Sequence, residues 1–296
     1  MQEFDYVLAD SVEEAVALLL GEGDGALILS GGTDLLVQLR EGRRRASLLV
    51  DIKGIQELNR LSYDPVEGLK VGAAVPCYRI CRHPDVVSRY PGLLDAVSLI
   101  GGVQIQGRAS VGGNLCNASP AGDTIPALIV HGAICVIAGP GGRREVRVED
   151  FCMGPGHTVL DKGELLVALC IPPHELAFGA HYLRFIPRNE MDIAVAGAGA
   201  SVVLDATCAS FQSVRIALGG VAPRPLFVRE AGEALTRRKI SDEAIEEAAQ
   251  IARAAASPVN DLRGTRAQRR HLSAVLVRRA LKTAIGRARE SLSRQD

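Results

Sequence analysis

Two glycine pairs, each set beside apolar sequence, constrain this chain more than any other feature. Ala26, Leu27, Ile28 and Leu29 read as a buried strand that runs into Ser30, Gly31, Gly32, Thr33 and Asp34, after which Leu35, Leu36 and Leu39 resume at helical spacing. Paired glycines permit positive φ and let a ligand approach the backbone with no Cβ in the way. The N–H groups that open the following helix favour an anion such as a pyrophosphate. Ser110, Val111, Gly112, Gly113 and Asn114 offer the same chemistry about 80 residues later, with an amide side chain alongside. One Gly-Gly turn is more often structural, but two can clamp a single diphosphate from both sides. No G-x-G-x-x-G follows a strand, so a Rossmann dinucleotide site is not supported.

The 296 residues exceed one ordinary small domain, so two or three compact units are expected. Lys plus Arg and Asp plus Glu balance at 34 each, leaving no global field to draw in nucleic acid or an anionic membrane. With 6 Phe, 5 Tyr and no Trp, the chain lacks the aromatic faces of a single-stranded nucleic-acid binder. No apolar stretch reaches the roughly 18 residues of a membrane span. The run 194–204 is short and rich in Gly and Ala, which fits a buried strand. The first residues lack the basic and apolar regions of a signal peptide. The seven cysteines are odd in number and scattered, pointing to reduced thiols in the cytoplasm. Cys77 and Cys81 form a C-x-x-x-C pair with no second pair at cluster or zinc spacing, so no metal is expected on this chain. The six histidines show no ligand or triad spacing and read as surface or structural residues.

Along the chain, Ser11 and Glu14 form a capping box that opens a helix over 12–20. Strands are expected at 48–52, 69–75, 133–138 and 164–171, with a short helix at 92–100. The glycine-rich stretch 101–123 shows little periodicity. Pro172-Pro173 is a strong breaker and a candidate domain boundary. Strands then follow at 181–186, 194–204 and 213–219. Two helices close the sequence, one capped by Ser241 with Pro258 beyond its end, the other over 265–289.

Several of these segments, taken in order, resemble the FAD-carrying subunits of molybdenum hydroxylases, the xanthine dehydrogenase and carbon monoxide dehydrogenase medium subunit family. Leu27-Ile-Leu-Ser-Gly-Gly-Thr-Asp-Leu-Leu36 is similar to its first FAD loop, and Ile100 through Asp123 to its longest signature. Segments 164–172, 188–194, 218–225 and 261–272 also match in order, so the resemblance covers nearly the whole chain. It implies an α+β fold: an FAD-binding domain of two α/β subdomains, of the p-cresol methylhydroxylase and vanillyl-alcohol oxidase type, plus a C-terminal α+β domain. The expected division is 1–173 (subdomains about 1–58 and 59–173) and 174–296. FAD would lie between the subdomains, in contact with Leu27, Ile28, Leu29, Ser30, Gly31, Gly32, Thr33 and Asp34 on the first loop. Ser110, Val111, Gly112, Gly113 and Asn114 would contact it on the second. Asp123 matches an acidic position capping the polar part of the cofactor, and Leu166 an apolar residue against a ring system. Arg184 stands where relatives often carry Lys near the flavin. Cys116 follows the second loop, but a catalytic thiol needs a partner that depresses its pKa, and none is visible. The cysteine-rich insertion of some aryl-CoA reductases is absent from 117–131, which disfavours that subgroup.

The resemblance further implies partners: a large molybdopterin-binding subunit and a small [2Fe-2S] subunit, with both of those cofactors on the partners. Electrons would pass through FAD to NAD or another acceptor, most like xanthine dehydrogenase, with no side chain acting as general acid or base. A stand-alone FAD-dependent NADH oxidoreductase and a flavin-binding structural subunit are the alternatives. Between Arg263 and Arg294 there are ten basic residues facing only Glu290 and the terminal Asp296. A solvated helix face is the commonest meaning of such a run, docking to an acidic partner the second, and a nucleic-acid patch the least supported.

Overall fold

The computed structural model describes residues 3–188 and 191–293. Met1 and Gln2, Asn189 and Glu190 of the 188–194 segment, and Arg294 and Asp296 of the basic run lie outside the described residues. Strands β1 (Asp5–Leu8), β2 (Ala26–Leu29) and β3 (Leu48–Asp51) form a parallel sheet in the order β1-β3-β2. Parallel neighbours need crossovers, supplied by helices α1 (Val12–Glu22) and α2 (Leu35–Arg40). Central β3 is buried throughout, as a parallel strand covered on both faces should be. Ser11 caps α1 by accepting the Glu14 N–H. The return bond reaches one residue further than a capping box predicts, from the Asp10 N–H to the Glu14 carboxylate at 2.8 Å.

The second sheet is antiparallel, with β4 (Leu61–Asp64), β5 (Gly68–Gly72), β6 (Ile134–Gly139), β7 (Gly142–Arg147) and β10 (Leu165–Ile171) in the order β4-β5-β10-β6-β7. Six short helices, α3 (Cys77–Arg82), α4 (Pro84–Arg89), α5 (Pro91–Val97), α6 (Val103–Gln106), α7 (Val111–Cys116) and α8 (Thr124–Val130), lie between β5 and β6. Helix α9 (Val148–Phe151) and the small ribbon β8 (Cys152–Gly154) and β9 (His157–Thr158) precede β10. The stretch 101–123 is therefore not aperiodic coil. It holds α6 and α7, which at four and six residues are too short to show a helical repeat.

The third sheet, β11 (Phe178–Phe185), β12 (Ala196–Leu204), β13 (Phe211–Gly219) and β14 (Leu226–Phe227), is antiparallel in sequence order. Helices α10 (Arg229–Glu233), α11 (Asp242–Ala255) and α12 (Arg266–Ser293) complete it. All nine residues of β12 are buried, because both of its faces are covered. A Cβ on Gly199 would come within 2.9 Å of the Pro126 carbonyl oxygen in α8, and one on neighbouring Gly179 within 2.0 Å of the Ala284 carbonyl oxygen in α12. This explains the Gly and Ala content of the run: helix backbones approach both faces of the sheet. No helix among the described residues is long and apolar enough to cross a membrane.

Buried polar groups tie the elements together. Arg269 donates to the carbonyls of Val195 (2.6 Å) and Gly220 (2.7 Å) and to both oxygens of Asp261 (2.7 Å each). That is the physical content of the 261–272 segment. His131 Nδ1 and His174 Nε2 lie 2.8 Å apart in an aromatic nest with Tyr90 and Phe178, and burial keeps both rings neutral near pH 7. Asp95 of α5 is bonded by His181 (2.6 Å), by the Tyr182 N–H (3.2 Å) and by Arg287 of α12 (2.5 Å).

Burial alone would raise the Asp95 carboxyl, but the bonds from His181 and Arg287 hold it below the usual range. A depressed carboxylate stabilises the fold fully above its unfolded pKa of about 3.9, and that contribution is lost as pH falls through the lower folded value. Asp95→Asn is expected to lower stability by about 2 kcal/mol at pH 7 and to flatten the acid limb of the stability profile. Urea midpoints measured between neutral and acid pH check both effects; an unchanged acid limb would contradict this role for Asp95.

Candidate functional site

A cleft of about 550 Å³ opens beside the carboxyl ends of β2 and β3, between the parallel and antiparallel sheets. This is where open α/β sheets place ligands, and the volume suits a cofactor-sized molecule. Leu27, Ile28, Ser30, Gly31, Gly32, Thr33 and Asp34 line one wall; Ser110, Gly112, Gly113 and Asn114 line the opposite one, and buried Leu166 of β10 borders the cleft. Leu29 and Val111 are not on the wall. They face the core and hold the two loops from behind.

The loops touch. Ser30 Oγ and Ser110 Oγ are 2.9 Å apart, and Ser110 Oγ also caps α7 by accepting the Gly113 N–H at 3.0 Å. Gly31 sits so close to the second loop that a Cβ would come within 2.2 Å of the Arg108 carbonyl oxygen; on Gly112 it would come within 2.4 Å of the Ala73 carbonyl oxygen. Gly32 has φ +77°. These glycines thus serve first to let backbone approach backbone, a role that the sequence alone does not separate from ligand approach. Among the described residues, the N–H groups of Gly31, Gly32, Thr33 and Asp34 donate to no protein group. Thr124 Oγ1 donates to Asn114 Oδ1 at 2.7 Å, leaving the Asn114 amide N–H groups uncommitted. Uncommitted donors flanked by apolar Leu27, Ile28, Ile52, Ile100 and Leu166 fit a diphosphate with ring systems attached. Asp34 is exposed at the cleft mouth, yet the crowding around it raises its carboxyl above the ordinary value.

Asp123 and Arg184 are brought to each other but not onto the cleft wall. They form a buried ion pair at 2.5 Å, and the Tyr182 hydroxyl donates to the other Asp123 oxygen at 2.7 Å. Burial raises the Asp123 carboxyl, and Arg184 opposes that shift. Arg184 Nε is buried with no partner among the described residues, an uncommitted donor behind the site. Asp123 joins the cleft indirectly, through its neighbour Thr124 and the bond from Thr124 to Asn114.

Other lining groups carried no signal in the sequence. The turn 160–164 forms a third wall. Arg144 pins it by a forked contact to Glu164 (2.7 and 2.6 Å) and a bond to the Val159 carbonyl. Its Asp-Lys-Gly composition announces a turn but not a ligand wall. Gln38, Arg44 and Asn117 also face the cleft, with Gln38 reaching Asn117 at 3.4 Å. Cys116 lines the cleft too, but burial and neighbouring Cys152 push its thiol up to about 12, so it stays protonated and is no nucleophile. Among the described residues, no group of three His, Cys, Asp or Glu side chains is placed to hold a metal ion.

Comparison with known families completes the picture. The family described as FAD binding domain in molybdopterin dehydrogenase matches residues 2–174. The chain belongs to this family. A second family, the CO dehydrogenase flavoprotein C-terminal domain, matches residues 181–284. The carbon monoxide dehydrogenase medium chain of Hydrogenophaga pseudoflava is 33% identical, over 96% of this chain and 98% of its own length. The xanthine dehydrogenase FAD-binding subunit of Escherichia coli O157:H7 is 28% identical, over 95% and 94%. Among solved structures, carbon monoxide dehydrogenase from Hydrogenophaga pseudoflava superposes with a TM-score of 0.93 at 31% identity, covering 97% of this chain and 98% of the other. The fold expected for the family's FAD-binding subunits, an FAD-binding domain followed by an α+β C-terminal domain, is the fold observed.

The loop contact makes a stability prediction that needs no ligand. Ser30→Ala removes one partly buried hydrogen bond and should cost about 1 kcal/mol. Gly31→Ala forces a Cβ into the Arg108 backbone and should cost about 1–3 kcal/mol. Thermal melting of the flavin-free protein ranks the two. Equal stability of Gly31→Ala and the parent would mean that this glycine serves the ligand alone.

Proposed function

We propose that this chain is the FAD-carrying electron-transfer subunit of a xanthine-dehydrogenase-like molybdenum hydroxylase. Electrons would arrive from [2Fe-2S] clusters on a small partner subunit, released by substrate hydroxylation on a large molybdopterin-binding partner, and leave to NAD. The observation that carries this reading is the pair of glycine loops meeting across a cleft with four uncommitted backbone N–H groups. Bound there, FAD supplies the hydride and single-electron chemistry.

The protein's own residues have the simpler tasks of holding and shielding. The amides of Gly31, Gly32, Thr33 and Asp34, with those of the second loop and the Asn114 side chain, would hold the diphosphate. Leu166 and Ile100 would exclude water from the ring systems. Arg184, balanced by Asp123, would supply positive charge and one free donor from behind. No side chain need move a proton. We also propose a division into 1–173, with subdomains of about 1–58 and 59–173, and 174–296. The two family matches, 2–174 and 181–284, and a four-stranded sheet that begins only at Phe178 support it.

The segment Met191-Asp192-Ile193 and the turn Gly154-Pro155-Gly156 favour a xanthine-dehydrogenase-type assembly. The identity to a carbon monoxide dehydrogenase medium chain supports a second reading, an assembly of that type with another acceptor. The seven unpaired cysteines fit a reducing compartment such as the cytoplasm.

An absorption spectrum of the purified chain followed by anaerobic NADH tests the proposal. Flavin bands near about 370 and 450 nm that bleach on NADH addition are the expected result. Persistent bands would redirect the search to another acceptor, and a colourless protein that takes up no FAD would overturn the cofactor assignment. Efficient turnover by the isolated chain on a soluble acceptor would instead favour a stand-alone oxidoreductase.

A further inference from the structure

We propose that Lys53 is a positioning residue for the cofactor diphosphate, holding the Ser30 carbonyl from behind so that the Gly31 amide is presented on the cleft side of the loop. The proposal rests on the reading that FAD lies along the first glycine loop.

Lys53 stands two residues beyond the end of β3. Its ammonium donates to the Ser30 carbonyl oxygen at 3.0 Å and to Asp51 Oδ2 at 2.6 Å. Its backbone N–H donates to Asp51 Oδ1 at 2.9 Å, and its carbonyl accepts from Asn59 Nδ2 at 2.8 Å. Asp51 is itself buried at 4% exposure and accepts from the Tyr6 hydroxyl at 2.8 Å. Lys53 is thus fixed at its head and along its main chain. The three strands of the parallel sheet meet at this point, through Tyr6 on β1, Asp51 on β3 and Ser30 after β2.

Peptide geometry then sets the direction of the next amide. No cis peptide bond occurs among the described residues. In a trans peptide the C=O and N–H point to opposite sides. With the Ser30 carbonyl held on Lys53, the Gly31 N–H is directed away from it. Gly31 lines the cleft, Lys53 does not, and the Gly31 N–H has no partner among the described residues. The ammonium is largely neutralised by Asp51, so its influence on a bound diphosphate runs through the peptide it orients, not through its own field. Loss of Lys53 should therefore weaken diphosphate binding selectively, and by an amount that salt does not erase.

The experiment is titration of the flavin-stripped full chain with FAD, ADP and riboflavin at low and high salt, for the parent, Lys53→Met and Lys53→Arg. Lys53→Met is expected to bind FAD and ADP about tenfold more weakly at both salt concentrations, with riboflavin affinity unchanged and most of the loss restored in Lys53→Arg. FAD affinity equal to the parent's would overturn the proposal. So would an equal loss for riboflavin, which marks general damage, or a loss that vanishes in salt, which marks a direct charge effect. If Lys53→Met does not fold, Lys53→Gln, which removes the ammonium but keeps a polar head beside Asp51, is expected to show the same selective loss. A parent chain that binds no FAD would instead overturn the cofactor reading on which the proposal stands.

Discussion

Two loops 80 residues apart in sequence meet at Ser30 and Ser110, and the cleft exists because of that contact. The parallel sheet and the antiparallel sheet approach each other at their loops while the space beside them stays open. A side chain larger than hydrogen at position 31 would force these backbones apart, and one at position 112 would lift the second loop off Ala73 at the end of its own sheet. The hydroxyl pair then fixes the registration of one loop against the other. Behind it, Leu29 and Val111 anchor each loop in a hydrophobic core. The donors left unpaired on the first loop are the residue of this arrangement: backbone groups that neither secondary structure nor the opposite loop satisfies.

Much of this was legible in the sequence. The strands Ala26–Leu29, half-buried beside the cleft, and Leu165–Ile171, almost wholly buried, show as apolar runs bounded by turn residues, and the Ser11 and Ser241 caps mark where helices begin. The glycine pairs read as room for a ligand to approach the backbone, whereas the space at Gly31 and Gly112 is taken first by other backbone. Other features left no trace because they depend on which distant segments meet. Helices α6 and α7 are too brief to be periodic. The edge strands β1, β4 and β7 are mostly half-buried or exposed, so no apolar run announces them. The wall at 160–164 faces the cleft only because Arg144 holds Glu164. The resemblance implies Asp123 and Arg184 beside the cofactor; that the two pair with each other, off the cleft wall, is a feature only the fold reveals. Their mutual attraction, strengthened by burial, is invisible to spacing.

A common device links the parts of the molecule: arginines that reach main-chain carbonyls at element ends and on a sheet edge. Arg215 donates to the Ile129 carbonyl and to Glu149, Arg287 to the Ala180 carbonyl and Asp95, and Arg269 to two carbonyls and Asp261. Each guanidinium satisfies carbonyls and a carboxylate at once. The planar fork makes this possible where a lysine ammonium would meet one or two of the partners. Such joints add directional constraint to an otherwise apolar contact.

The close seat of α12 on the third sheet has a consequence for the order of events during synthesis. Gly179 and the small residues of β12 leave only shallow relief for the helix, so neither surface can be covered by anything bulkier than the backbone of α12. Those 28 residues emerge after every strand they cover. A nascent chain therefore carries an alanine-rich sheet with one bare face until α12 leaves the ribosome. The glycine loops that close the earlier sheets on each other are made before that helix, which later adds Arg287 to Asp95 of α5, so the cofactor cleft can begin to take shape while α12 is still being made.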